Sequence, residues 1–266
     1  MSEYSRRYEA ETGKTAPIEA QQLDKLFEQI ARGIFLPPRG QQAVDLGFTA
    51  HSLSDPYENP VVYQYYQWVL RNVFEKHSVN EMTAKLIGMA FTCANVFETS
   101  LPQPLTLNPW QIEEMKSFPL KTKRAVVVEN NGVFVWLVHL HPDWSLINQA
   151  GNDFNEAYIK LLQRLEQRGL QVTYLGDLDS RGIQMADHLY RQLNETSIAE
   201  FTAIQTPENV SKWLTLKGKI AAKRTHRLAV TTPRFQQEMN SISLMGKFVE
   251  QEQLITDYEN LIPGWL

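Results

Sequence analysis

Cysteine is almost absent. Cys93 is the single one in 266 residues, so the chain can form neither an internal disulfide nor a cysteine-built zinc site, and a reducing cytoplasm is the expected compartment. Long apolar runs are also missing. The most apolar stretch, Ala125 to Leu140, is interrupted by Glu129, Asn130 and Asn131, which excludes a membrane-spanning helix there. Residues 1–20 hold no apolar stretch of the kind a secretion signal needs. Strong charge of either sign is lacking: 26 basic and 30 acidic residues leave a net charge of −4. That argues against a generic basic coat for nucleic acid and leaves room for a local basic groove. There is no internal repeat and no low-complexity tract. What remains, 43% hydrophobic and 21% charged residues, is ordinary globular composition, sufficient for one large domain or two modest ones.

Charge and texture change near residue 117. Residues 1–120 carry 10 basic and 14 acidic residues, and the rest of the chain carries 16 of each. The first part, 1–117, reads as mainly helical, with helices expected over Ile18–Ile34, Pro60–Glu75 and Val79–Phe97. Leu23, Phe27, Ile30 and Ile34 keep helical spacing. Leu36-Pro37-Pro38-Arg39-Gly40 breaks the pattern, as does the proline-rich run from Ser100 to Pro109.

From 118 to 266 the pattern alternates. Arg124–Glu129 is a β-branched apolar run suited to a buried parallel strand. Val133–His141 reads as helix and Trp144–Asn148 as strand. Asp153 and Glu156 make a capping-box-like start for a helix whose Phe154, Ala157, Tyr158, Leu161, Leu162 and Leu165 form one apolar stripe, ended by Gly169. Strands are expected at Gln171–Leu175 and Ile198–Ile204, with a helix over Ile183–Leu193. Strands alternating with helices predict an α/β domain with a parallel sheet.

In such sheets ligands gather at the carboxyl ends of the strands. Glu129 closes one strand, and Asp177 and Asp179 close another. Residues two apart in an extended segment point the same way, so the aspartates can face one site while Leu178 faces the core. Gly176 and Gly182 allow tight turns on either side. Converging carboxylates repel unless a cation sits among them, and hard oxygen donors favour Mg²⁺ or Mn²⁺. On this reading Asp177 and Asp179 are metal ligands, and Glu129 is a proton-transfer residue or shared ligand. The alternative is that both aspartates only cap the following helix.

Val-Val-Val-Glu129-Asn130, followed by Tyr174-Leu-Gly-Asp177-Leu-Asp179-Ser-Arg-Gly182-Ile183, resembles the Toprim domain shared by topoisomerases, bacterial primases and several nucleases. The similarity is greatest to the topoisomerase VI A-subunit branch, which includes the nuclease subunit of Wadjet-type plasmid-defence systems. It covers residues 120–255, where Phe248-Val-Glu250-Gln251-Glu252 is similar to the Glu-Gln-Glu ending of those proteins. The resemblance implies a Toprim-like Rossmannoid parallel sheet flanked by helices and Mg²⁺-dependent DNA strand cleavage, in plasmid or phage defence. Glu129 would be the general acid/base. Asp177 and Asp179 would be ligands, with Asn130, Gly176, Arg181, Gly182, Glu250 and Glu252 in support. Glu250 and Glu252 are two apart in an expected helix and do not share a face, so one would orient the site and the other point to solvent. DNA is the expected partner, with a homodimer or larger defence complex and no membrane.

The chain departs from that branch in its first part. The topoisomerase relatives carry a winged-helix domain with a nucleophilic tyrosine ahead of Toprim, and residues 1–117 show no clear winged helix. Tyr63, Tyr65 and Tyr66 sit in an apolar helical run with the spacing of core aromatics. Water then becomes the natural nucleophile, and hydrolysis the expected outcome. A second class of function is a catalytically silent Toprim module that binds DNA or a partner. A third, a phosphatase of the haloacid-dehalogenase type, ranks low because its Asp-x-Asp belongs at the first strand with Thr following.

Outside the acids, Lys212, Lys217, Lys219, Lys223, Arg224 and Arg227 form an acid-free basic strip. It reads as a DNA-backbone contact or as a solvated face. Arg181 reads as a phosphate contact or as a partner of Asp179. His139 and His141 read as surface histidines, and Trp213 and Trp265 as packing anchors.

Overall fold

The computed structural model describes residues 2–74, 79–82, 91–149 and 156–266. It divides into two compact units, 1–84 and 85–266, so the division falls earlier than the change of texture near residue 117.

Among the described residues of the first unit four helices form: α1 (Glu3–Thr12), α2 (Ala20–Ala31), α3 (Arg39–Asp45) and α4 (Pro60–Asn72). Ser2 caps α1 by accepting the Ser5 N–H, and Asn59 caps α4 by accepting the Val62 N–H, with Pro60 in the first turn. Leu23, Phe27 and Ile30 of α2 meet Val62, Tyr65, Tyr66 and Val69 of α4 in one apolar core. Tyr65 and Tyr66 are fully buried, which is the packing role their spacing predicts. The expected helix over Val79–Phe97 does not hold where it is described. Leu36 and Glu81 form a parallel bridge, and Phe91–Ala94 is a strand; residues 83–90 lie outside the described residues. A run of four buried residues is too short for periodicity to separate helix from strand.

The second unit is a mixed α/β layer. Strands β1 (Phe91–Ala94), β2 (Leu105–Leu107), β3 (Arg124–Val128), β4 (Leu146–Asn148) and β5 (Gln171–Leu175) form one sheet in the order β2-β1-β4-β3-β5. β3 pairs in parallel with β4 and β5, whereas β1 runs antiparallel to both β4 and β2. The expected all-parallel sheet is therefore corrected to a mixed one, because residues counted with the helical first part add two antiparallel strands at one edge. Alanine, valine and leucine side chains of β3 to β5 are buried throughout, as strands covered on both faces require.

The helices of this unit are α5 (Ile112–Met115), α6 (Asn131–Leu140), α7 (Glu156–Gln167), α8 (Ser180–Tyr190), α9 (Ile198–Phe201), α10 (Pro207–Lys217), α11 (Ala222–Thr225), α12 (Pro233–Met245) and α13 (Ile255–Trp265). Tyr158, Leu161, Leu162 and Leu165 give α7 its buried stripe, and Gly169 follows it at φ +91°. The residues expected to start that helix, Asp153 and Phe154, lie outside the described residues. A two-stranded ribbon, β6 (Lys219–Ile220) with β7 (Lys247–Phe248), completes the unit.

Ile198–Ile204 is the second correction. It lies beside β5, where Thr173 Oγ1 donates to Phe201 O at 3.2 Å, but it forms the short helix α9 rather than a strand. The cause is a capping box: Ser197 Oγ accepts the Glu200 N–H at 3.2 Å, and the Glu200 carboxylate accepts the Ser197 N–H at 2.9 Å.

The turn from β5 into α8 is closely packed. A Cβ on Gly182 would stand 2.2 Å from Asp177 O. Gly182→Ala is expected to destabilise the protein by ~1–3 kcal/mol through overpacking. A fall in the midpoint of thermal unfolding checks this, at about 2–4 °C per kcal/mol for a chain of this size.

Candidate functional site

The parallel register sets the site. Val128 of β3 lies opposite Leu175 of β5, and the Glu129 N–H continues the ladder to Leu175 O at 3.0 Å. Glu129 and the loop 176–179 therefore leave the sheet side by side. The Asp177 N–H donates to Glu129 Oε2 at 3.0 Å across a sequence separation of 48. The Tyr174 hydroxyl lies 3.2 Å from both Glu129 Oε2 and Gln149 Oε1, and its one hydrogen serves one of them at a time. Gly176 is needed here, since a Cβ would stand 2.5 Å from Glu129 Oε2. Its N–H donates to Gln205 Oε1 at 2.6 Å.

Leu178, between the aspartates, is buried, and its backbone exchanges two hydrogen bonds with Val249, at 2.9 and 3.2 Å. That antiparallel bridge brings residues 248–252 against the loop. The Gln251 N–H donates to Asp177 Oδ1 at 2.8 Å. The Asn130 N–H donates to Gln251 Oε1 and its Nδ2 to Glu252 Oε1, both at 2.9 Å. Asn130 Oδ1 caps α6 by accepting the Gly132 and Val133 N–H groups. Glu250 and Glu252, expected to lie in a helix with one turned to solvent, instead flank the start of a 3₁₀ turn (Gln251–Leu254) and are both buried. The bridge to Leu178 imposes this conformation.

Asp179 does cap α8, with Oδ1 accepting the Gly182 N–H at 2.8 Å. The capping reading is thus correct for Asp179, but it describes only one of its oxygens. Asp179 Oδ2 accepts Arg224 Nε at 2.8 Å and lies 2.7 Å from Arg224 Nη2. The same Nη2 donates to Asp177 Oδ2 at 3.0 Å, and Nη1 donates to Glu250 Oε1 at 2.7 Å. The guanidinium also stacks 4.1 Å from the centre of the Phe248 ring. Lys219 Nζ stands 3.6 Å from Glu250 Oε2.

Crowded, buried carboxylates hold protons more tightly. Burial, then Asp177 and Asp179, raises Glu129 well above the usual carboxylate range. Burial and Asp179 push Asp177 up to about 7, against the opposing pull of Arg224. Burial and Asp177 push Glu252 up to about 8. Burial alone would weaken the Arg224 proton, and the carboxylates of Asp177, Asp179 and Glu250 more than reverse that.

The donor chemistry fits a small hard cation. Oδ2 of Asp177 and Oδ2 of Asp179 converge on a single positively charged nitrogen, at 3.0 and 2.7 Å. In this arrangement, however, no group of three His, Cys, Asp or Glu side chains among the described residues is placed to hold a metal ion. The Glu129 carboxylate is bonded to the Asp177 backbone N–H.

The basic strip separates into two kinds of residue. Lys217 turns inward to Asp257 and Gln253 O, Lys219 to Glu250, and Arg224 to the acids. Lys212, Lys223 and Arg227 are exposed. Arg181 is exposed as well, and the arginine paired with Asp179 is Arg224 instead. His141 bonds Glu259 at 3.0 Å and stacks on Trp144. Trp213 is buried, and Trp265 donates to Ala125 O at 3.2 Å. Gln149 and Gln205 escaped sequence reading because they carry no motif, and Tyr174 stood there only as the start of the Asp177 motif, with no role at the site. The place of Arg224 escaped it because 45 residues separate it from Asp179.

No helix among the described residues is long and apolar enough to cross a membrane. No curated protein matches the chain. Residues 105–259, which include every side chain of this cluster, match the family described as "Protein of unknown function C-terminus (DUF2399)", and the chain belongs to that family.

Proposed function

We propose that this chain is a Toprim-like enzyme that cuts DNA strands with the help of Mg²⁺ or Mn²⁺. What supports the reading is that Glu129, bonded to the Asp177 N–H, and the loop bearing Asp177 and Asp179 leave the carboxyl ends of neighbouring parallel strands. Asp177 and Asp179 would hold the ion, with Glu129 next to it. An ion there supplies charge stabilisation at a phosphoryl oxygen.

The chain's own residues supply the rest. Glu129, pushed toward its protonated form by burial and by the aspartates, can give a proton to a leaving oxygen or take one from an attacking water. Tyr174 and the Asp177 N–H fix its carboxylate through Oε2. Asn130 ties the end of β3 to Glu252 and Gln251, so the strand end and the 3₁₀ turn move as one piece. Lys212, Lys223 and Arg227, exposed on the same unit, are suited to a phosphate backbone. Tyr65 and Tyr66 are buried in the first unit, which favours water as nucleophile over a tyrosine among them. A cytoplasmic plasmid- or phage-defence setting, as a homodimer or within a larger complex, belongs to the same proposal.

The second reading, a catalytically silent module that binds DNA or a partner, is favoured by one observation: Arg224 holds both aspartates. Plasmid nicking separates the two. With Mg²⁺ or Mn²⁺ the wild-type chain is expected to nick and EDTA to stop it, while Asp177→Ala and Glu129→Gln each lower the rate by ~100-fold or more. Cleavage that persists in both variants rejects the site. DNA retention without nicking in the wild type supports the silent module.

The contact surface has its own test. Replacing Lys212, Lys223 and Arg227 together by Ala is expected to weaken DNA binding and to flatten its salt dependence by about 0.9 per lost phosphate contact. Fluorescence anisotropy across a salt series measures both, and an unchanged slope rejects these residues as backbone contacts.

A further inference from the structure

We infer that Arg224 is a built-in counter-ion standing where the divalent ion would bind, and that arginine and ion hold Asp177 and Asp179 by turns. The inference rests on the proposed function for the identity of the ion; the competition itself rests on the two oxygens that Arg224 already holds.

Each aspartate has one oxygen fixed by the backbone. Asp177 Oδ1 accepts the Gln251 N–H at 2.8 Å, and Asp179 Oδ1 accepts the Gly182 N–H at 2.8 Å. The remaining oxygens, both Oδ2, meet at Arg224 Nη2, at 3.0 and 2.7 Å. An Mg²⁺ ion shared by those two oxygens would lie about 2.1 Å from each. A guanidinium already bonded to the same two oxygens therefore competes with the ion, like charge against like charge, for both aspartates.

The surroundings allow such an exchange. The backbone at Arg224 is pinned, because Ser180 Oγ bonds Arg224 O at 3.0 Å and also reaches His226 O. Only the side chain has to leave, and it is partly open to solvent, with 23% of its surface exposed. Its neighbours Lys223 and Arg227 are exposed, so a displaced guanidinium joins a basic rim suited to a phosphate. Glu250, at 2.7 Å from Nη1, keeps the arginine at the site until an ion competes for the aspartates. Arg224 is thus a positioning residue, one that keeps the aspartates apart from the ion in the unloaded chain.

The test is Mn²⁺ binding by the full chain, followed by calorimetry, in wild type and Arg224→Ala. The variant is expected to bind Mn²⁺ at least tenfold more tightly. Equal or weaker binding by a folded variant overturns the inference, whatever the nicking assay shows. Should Arg224→Ala fail to fold, the wild type alone decides. Mg²⁺ titration is expected to shift the Arg224 Nε–Hε NMR signal out of its carboxylate-bound position. A signal that stays unmoved while Mg²⁺ binds overturns the exchange. Tighter Mn²⁺ binding in the variant with no nicking in either protein upholds the exchange and rejects the nuclease reading. Absence of Mn²⁺ binding in both proteins rejects both.

Discussion

One guanidinium holds this site together. Arg224 bonds Asp177, Asp179 and Glu250 within 3.0 Å and stacks on Phe248, so three segments far apart in sequence depend on a single positive charge. Without it the carboxylates would face each other across a few ångströms of poorly solvated space, and removing one partner from a buried ion cluster costs about 3–5 kcal/mol. Arginine suits the place because its planar fork can serve several carboxylate oxygens at once, which the point charge of lysine cannot. Lys219, by contrast, stands 3.6 Å from Glu250.

The rest of the second unit keeps those charges in register. The β3–β5 ladder fixes Glu129 relative to the loop, and the Leu178–Val249 bridge fixes residues 248–252 relative to the same loop. Backbone N–H groups of Asp177, Gly182 and Gln251 each point at a carboxylate. These donors are rigid because each belongs to a strand end, a helix start or a 3₁₀ turn. Asp177 and Asp179 are therefore held by main chain through one oxygen and by Arg224 through the other. Ser180 holds the Arg224 carbonyl at 3.0 Å, so the exchange we infer asks only the arginine side chain to move.

Much of this was legible in the residues. β-branched Val126 to Val128 announced β3, and the apolar stripe of Tyr158 to Leu165 announced α7, because both patterns are local. Glu129, Asp177 and Asp179 could be grouped because strands in parallel register deliver their ends to one edge. Three things were hidden. Phe91–Ala94 offered too few residues for a period. Ile198–Ile204 looked like a strand because apolar content was weighed above the Ser197–Glu200 capping box. Arg224 looked like one more member of a basic strip, since nothing local distinguishes it from Lys223. Its role arises only when the Leu178–Val249 bridge and the Ser180 anchor fold that strip back onto the acids. The same fold turned Glu250 and Glu252 inward, where helical reasoning had separated their faces.

The charge balance of the cluster bears on why it exists at all. Among the described residues, the cations paired with Asp177, Asp179 and Glu250 are Arg224 and Lys219, and Glu129 and Glu252 add two more acids to the cluster. The shortfall shows in the raised proton affinities of Glu129, Asp177 and Glu252, each driven first by burial. A fold seeking stability alone would do better with apolar side chains of similar size at these positions. Local conflict of this sort is tolerated where the conflict itself has a use. Here it leaves a pocket short of positive charge, with oxygens already aimed at one point and a single displaceable cation covering it. An acid cluster that served only to cap α8 would need Asp179 alone, so the surplus acids argue for chemistry that draws on them.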